Sequence, residues 1–320
     1  MKKLICALVI LGAVTVSAGQ AGADPGPRPT TYIVSRDQGV LPESISVSRD
    51  GTMYVSSFGT GAIYRGNTRN PMMHVFKPAG ADGRIKASGV EVDRRGRIWV
   101  AGWDTDTIWV YNPDGSLLAK RTVPDTGSAL NDLIVTDEAV YVTDSFTGSL
   151  WRAPVRGSQI GELSRWLSSE DFPAQPGFLN GIVGTPGGRI ALIADSVEGS
   201  GLPGDARLFR VDLRTRAVTE VAVSGGFLVT MDGLLLEGRR LYADVNFPDG
   251  QGNTNYAVDL AVLNADLTAL RLVHRSGTAP RTQAPTAVAR DGRRLLWVNS
   301  QFGGNPPAPP FTVTEVPGIR

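Results

Sequence analysis

The sequence predicts an all-β protein, a six-bladed β-propeller that follows an export signal. Three observations predict it: a strand–turn–strand pattern that recurs six times, abundant glycine at 38 residues, and a near absence of helix-period stretches. The copies open at Glu43, Ser88, Asn131, Asn180, Asp232 and Thr286, in steps of 43 to 54 residues. A four-stranded blade needs roughly 40–50 residues. A β-sandwich gives no reason for such self-similarity, and a β-helix repeats in far shorter steps.

The chain begins Met1-Lys2-Lys3, followed by an apolar run from Leu4 to Val16 and by Ala21-Gly22-Ala23. A short basic stretch, an apolar stretch and an A-x-A site form a signal peptide over residues 1–23, cleaved near Ala23. The apolar run is short for a bilayer span, which takes about 20 residues. The expected product is therefore secreted or periplasmic, with no membrane attachment after cleavage. Cys6 is the only cysteine, so the mature chain is expected to have no disulfide and to depend on packing. Residues 24–30 read as a flexible, Pro/Gly-rich lead, and residues 31–320 as the propeller. The net charge of +1, without blocks of like charge, gives no case for a nucleic-acid partner. A small-molecule substrate or ligand and a monomer are expected.

In the first copy, Pro42 to Ser56 reads as strand, turn, strand. Asp50-Gly51, Gly187-Gly188 and Asp291-Gly292 supply the positive φ that tight hairpins require. Third strands fit Ala62–Arg65, Thr107–Tyr111, Ser149–Arg152 and Arg207–Val211. Weaker fourth strands fit Met73–Phe76, Leu117–Lys120, Val218–Val221 and Leu270–Val273. Trp99, Trp109, Trp151 and Trp297 fall at strand positions and read as packing between blades. Thr31–Val34 or Phe311–Val316 would supply the outer strand that closes the ring and removes its exposed edges.

Equivalent positions in a propeller form rings about its axis. The ring of blade-opening residues is Glu43, Ser88, Asn131, Asn180, Asp232 and Thr286, all of them oxygen donors. Hard oxygen ligands suit Ca²⁺, Mg²⁺ or Mn²⁺. With neither histidine nor thiol, the ring does not suit a structural zinc site, although zinc remains an option for an activity.

Glu43, Asn131-Asp132, Asn180-Gly181 and Asp232-Gly233, in this order and in register with the repeat, resemble the SMP-30/gluconolactonase family, the regucalcin-like sugar lactonases. The resemblance covers nearly all of the mature chain. It implies one divalent cation on the axis, calcium foremost, held by Glu43, Asn180 and Asp232. It implies metal-dependent hydrolysis of a lactone or ester, with Asp232 as ligand and general base and Asn131 orienting substrate or water. Ser88 and Trp103 are candidates for the pocket wall. Sugar-lactone members carry an arginine two residues before the third-blade asparagine. Ala129 stands there in this chain, so a sugar lactone is not carried over.

Two other readings stay open: a non-catalytic ligand-binding or scaffold propeller with a structural metal, and a strictosidine-synthase-like propeller. His74 and His274 fall in outer strands, far from the axis. Asp144-Ser145 and Asp195-Ser196 are expected near the face opposite the ring, bonding turn backbone. Gly199–Gly204 and Pro248–Asn255 read as loops able to cover a channel mouth.

Overall fold

Residues that alternate or run apolar between glycine turns form strands almost throughout. The computed structural model describes residues 28–196, 206–226, 228–248, 254–277, 282–302 and 306–319. Its regular elements are β-strands and two single-turn 3₁₀ segments. Among the described residues, no helix is long and apolar enough to cross a membrane.

Each repeat copy opens an innermost strand: Pro42–Val47, Val90–Val92, Leu130–Val135, Leu179–Gly184, Met231–Glu237 and Pro285–Asp291. Each is the first of an antiparallel meander that runs outward. Four meanders are separate sheets. The other two share an eight-stranded sheet, joined edge to edge where Ile33 pairs in parallel with Met72. The innermost strands contact one another in succession, and Pro285–Asp291 returns to contact Pro42–Val47. The chain is an all-β propeller, and we read the six meanders as its six blades.

Apolar side chains between neighbouring blades form the core. One cluster packs Trp99 and Val110 of the second blade against Val142 and Trp151 of the third. Another joins Tyr32, Met53 and Val55 to Leu296, Phe311 and Val313, from the two ends of the chain. The four strand tryptophans are wholly buried, as their positions imply. Both candidate closing strands are used. Phe311–Glu315 pairs with Arg294–Asn299, and Thr31–Ser35 pairs outside it, with Thr31 opposite Thr314. Arg28 and Pro29, from the lead before it, are tied to the last blade: Arg28 pairs with Asp291 at 2.7 Å, and Arg294 donates to the Pro29 carbonyl.

The fifth meander has a long hairpin. Its strands Arg240–Pro248 and Thr254–Leu263 were only partly legible, and Ala222–Ser224 adds in parallel to Ala269–Arg275 at its outer edge. The tip of that hairpin and the stretch from Gly199 to Gly204 lie outside the described residues. His74 and His274 sit exposed on outer strands, as expected.

Candidate functional site

The ring residues share a backbone device. In five blades the first two strands shift register at the ring, between Pro42 and Ile45, Leu130 and Leu133, Leu179 and Ile182, Met231 and Leu234, and Pro285 and Val288. Such a bulge bends the strand and re-aims its side chains. It also explains the glycines that follow the ring residues. A Cβ on Gly181 would lie 2.2 Å from the Asp232 carbonyl, and one on Gly233 would lie 2.6 Å from the Ala287 Cα. Neither glycine has positive φ. They are needed because the innermost strands crowd the axis, whereas Gly51 (φ 83°) is needed for a hairpin turn.

Two predicted site residues, Asn131 and Asn180, are joined by a hydrogen bond, and a third, Asp232, lies beside them. The Asn131 amide donates to Ser145 Oγ at 2.9 Å and to Asn180 Oδ1 at 3.0 Å. The Asn180 side chain also lies near the Asp232 carboxylate and favours its charged form. Glu43 is electrostatically coupled to Asp232, and its buried Oε2 has no hydrogen-bond partner. Ser88 and Thr286 are committed to structure. Ser88 Oγ donates to the Leu130 carbonyl at 2.7 Å and the residue is 1% exposed, while Thr286 Oγ1 donates to the Glu43 carbonyl. Trp103 lies just beyond its second strand and bridges Leu130, the residue before Asn131.

Asp144-Ser145 and Asp195-Ser196 lie at the ring mouth, not opposite it. Antiparallel pairing places the end of the second strand beside the start of the first, with Asp144 opposite Leu130 and Asp195 opposite Leu179. Their bonds are turn bonds as expected: Asp144 accepts from the Ala129 N–H, Thr147 and Trp151 Nε1. Ser145 additionally joins the Asn131 amide to the Leu179 carbonyl.

The channel is strongly acidic. Burial pushes Asp232 up to about 8, with the Asp132 charge adding to it and the nearby Asn180 amide opposing it. Glu43 rises well above the ordinary carboxylate range, by burial first and then by the charges of Asp232 and Asp132. Burial also raises Asp132 to about 6, against hydrogen bonds from the Ile182 and Leu133 N–H groups. Glu91 rises to about 8 through burial and the Asp132 charge. Asp232, Asp132 and Glu91 are half-buried, and Glu91 and Asp132 line a cavity. From the far mouth a cavity of about 500 Å³ reaches Ser46, Glu91 and Asp132 between the ends of the innermost strands. Its lining reaches Ser44, Asp132 and Gly233, the residues that follow three ring positions.

Sequence reading missed Asp244. It is 0% exposed, neither carboxylate oxygen has a hydrogen-bond partner of ordinary geometry, and burial with the Asp232 charge raises it well above the ordinary range, against the nearby Val245 N–H. By register it stands where blades one and three have Ser56 and Thr143. Those hydroxyls donate across the blade boundary to the Ser88 and Asn180 carbonyls. The signal available was an acidic residue inside the apolar strand Leu241–Val245.

The residues present fit a hard cation. Glu43 offers an oxygen with no partner, and it carries the repulsion of the Asp232 and Asp132 charges. Asn180 now turns its oxygen to Asn131, and a half-turn of the amide would present it beside Asp232 instead. Among the described residues, no three His, Cys, Asp or Glu side chains already converge as a metal cluster. The fit therefore rests on carboxylates combined with an amide.

No family model matches this chain, and no curated protein matches it. Solved structures do. The chain is similar to a calcium-binding regucalcin from Agrobacterium tumefaciens at 16% identity and TM-score 0.57, covering 90% of this chain and 92% of that one. It is similar to a gluconolactonase from Xanthomonas campestris at 17% identity and TM-score 0.58, covering 94% of each. It is also similar to virginiamycin B lyase from Staphylococcus aureus at 12% identity and TM-score 0.56, covering 87% of this chain and 81% of that one. A hydrolase and a lyase share this architecture, so the likeness establishes the fold and leaves the chemistry to the site.

Proposed function

We propose that this chain is an exported, cation-dependent hydrolase of a lactone or ester, with Glu43, Asn180 and Asp232 holding one divalent cation, calcium foremost. The observation that carries this reading is the meeting of Glu43, Asn131, Asn180 and Asp232 at one channel mouth, with Glu43 Oε2 lacking a partner. The cation would supply electrophilic polarisation of the scissile carbonyl. Asn131, anchored by Ser145, orients the substrate or the attacking water. Asp232 takes a proton from that water as the new C–O bond forms, and returns it to the leaving alkoxide when the ester bond breaks. Regucalcin's calcium and gluconolactonase's activity, as those structures are named, agree with this reading. The basic, apolar and A-x-A segments over residues 1–23 support export.

A second reading is a ligand-binding propeller with a structural cation. It is favoured by the hydrogen bonds that already tie the Asn131 amide to Asn180 and Ser145. The two separate in one experiment. Mature protein is assayed against lactones and aryl esters with Ca²⁺, Mn²⁺ or Zn²⁺, beside Asp232→Ala. Turnover lost in the variant supports the hydrolase. Equal rates in both proteins sink it, and a cation-raised Tm without turnover favours the structural cation.

A further inference from the structure

Five aromatic rings surround the ring mouth, and they come from five blades. Phe58 packs edge-on against Phe302 at 5.2 Å and against Trp103 at 5.6 Å. Trp103 continues to Phe146 at 5.4 Å and to Phe178 at 6.1 Å. Four of the rings lie just beyond the second strand of their blades, and Phe178 lies just before an innermost strand. The arc thus runs continuously from the sixth blade through the first, second and third to the fourth.

Backbone bonds fasten this arc to the polar ring. The Phe58 N–H donates to the Leu41 carbonyl, two residues before Glu43. Trp103 and Leu130 exchange both backbone hydrogen bonds, at 3.0 and 3.2 Å, directly before Asn131. Phe146 follows Ser145, the acceptor of the Asn131 amide, and Phe178 lies two residues before Asn180. Trp103 holds this place with φ 53°, a left-handed conformation that is costly for a bulky side chain. Phe146 is 57% exposed, and the other four rings are half-buried. A ring that served only the core would be covered, as the strand tryptophans are. Among the described residues, the cation over the arc is Lys86, 5.0 Å from the Phe58 ring and paired with Asp104.

We propose that this aromatic collar is the substrate-side subsite of the channel mouth, and that it selects lactones or esters with an apolar, preferably aromatic, body over polyhydroxylated ones. The inference rests on the hydrolase reading for the word substrate, but the collar's ligand chemistry can be tested without turnover. Rings fixed edge to face present faces and edges for stacking at little conformational cost. They offer no hydrogen bonds to a polyol, whose hydroxyls would lose water without replacement.

The test uses mature protein with Ca²⁺ and three probes: dihydrocoumarin as an aromatic lactone, its lactam analogue 3,4-dihydroquinolin-2-one as an unreactive ligand, and δ-gluconolactone. Calorimetry is expected to detect lactam binding that Phe146→Ala and Trp103→Ala weaken about three- to tenfold each. The KM for dihydrocoumarin should rise by the same factor, with kcat changed less and kcat/KM for δ-gluconolactone remaining the lower of the two in wild type. Phe146 is exposed, so its variant keeps the fold and serves as the control for Trp103. Lactam binding without hydrolysis of any probe would uphold the collar and reject the hydrolase reading. Good turnover of δ-gluconolactone with no lactam binding, or lactam affinity unchanged in both variants, would overturn the collar.

Discussion

Glu91 gives a prediction whose sign can be worked from the structure. Its carboxyl lies in the channel, accepts from Ser46 Oγ at 3.2 Å, and is raised from 4.5 to about 8 by burial and by the Asp132 charge. The folded chain therefore holds this proton more tightly than the unfolded chain. Between pH 4.5 and about 8 the folded state binds the more protons, so stability falls as pH rises through that window. A tenfold change in proton affinity is worth about 1.4 kcal/mol, which makes the full displacement ~5 kcal/mol. The adjoining cavity opens to solvent, and screening there reduces the net to about 2 kcal/mol. Glu91→Gln keeps the acceptor for Ser46 and removes the charge. In EDTA, the variant should match wild type at pH 4.5 and exceed it at pH 8.5 by about 2 kcal/mol, near 4–6 °C in Tm. Circular dichroism melts at the two pH values measure this. A variant equal to or less stable than wild type at pH 8.5 would refute the claim that this carboxylate is held against its charge.

Other expectations follow from named contacts. Gly181→Ala should lower Tm by several degrees and disrupt the ring, because the new Cβ meets the Asp232 carbonyl at 2.2 Å; about 1–3 kcal/mol is the usual cost of such overpacking, and unchanged melting would refute it. Asp244→Ser should stabilise EDTA-treated protein at pH 8 by about 1–2 kcal/mol, by removing an unpartnered carboxylate and restoring the hydroxyl of the equivalent blades; a loss of stability at that pH would count against it. Asp144→Ala should cost about 2–4 kcal/mol in urea melts, since Asp144 joins the Ala129 N–H, Thr147 and Trp151 Nε1; an effect under half a kcal/mol would contradict the role given to it.

The fold was legible because its signals repeat. Six copies of one strand–turn–strand pattern outweigh any single ambiguous segment, and burial of Trp99, Trp109, Trp151 and Trp297 follows from strand periodicity. The ring was legible for the same reason: one position per repeat, polar each time. What the sequence hid depends on pairing between strands. Asp144 was misplaced because its face is fixed by which end of its neighbour it meets. Asp244 escaped because only the strand register aligns it with Ser56 and Thr143. The collar escaped because its members lie in irregular backbone after the strands, at offsets that differ from blade to blade, and only three-dimensional packing joins Phe302 to Phe58. Asn180-Gly181 and Asp232-Gly233 marked the blade openings in the sequence, and the structural need for glycine there is crowding at the axis.

The account turns on the blade-opening ring as a cation site. Calorimetric titration of EDTA-stripped mature protein with CaCl₂ tests this most directly, with Glu43→Gln and Asp232→Ala beside it. The account predicts one ion bound per wild-type chain and none in Asp232→Ala, with Glu43→Gln weakened at least tenfold. Wild type that binds no ion, or both variants binding as wild type does, would contradict it.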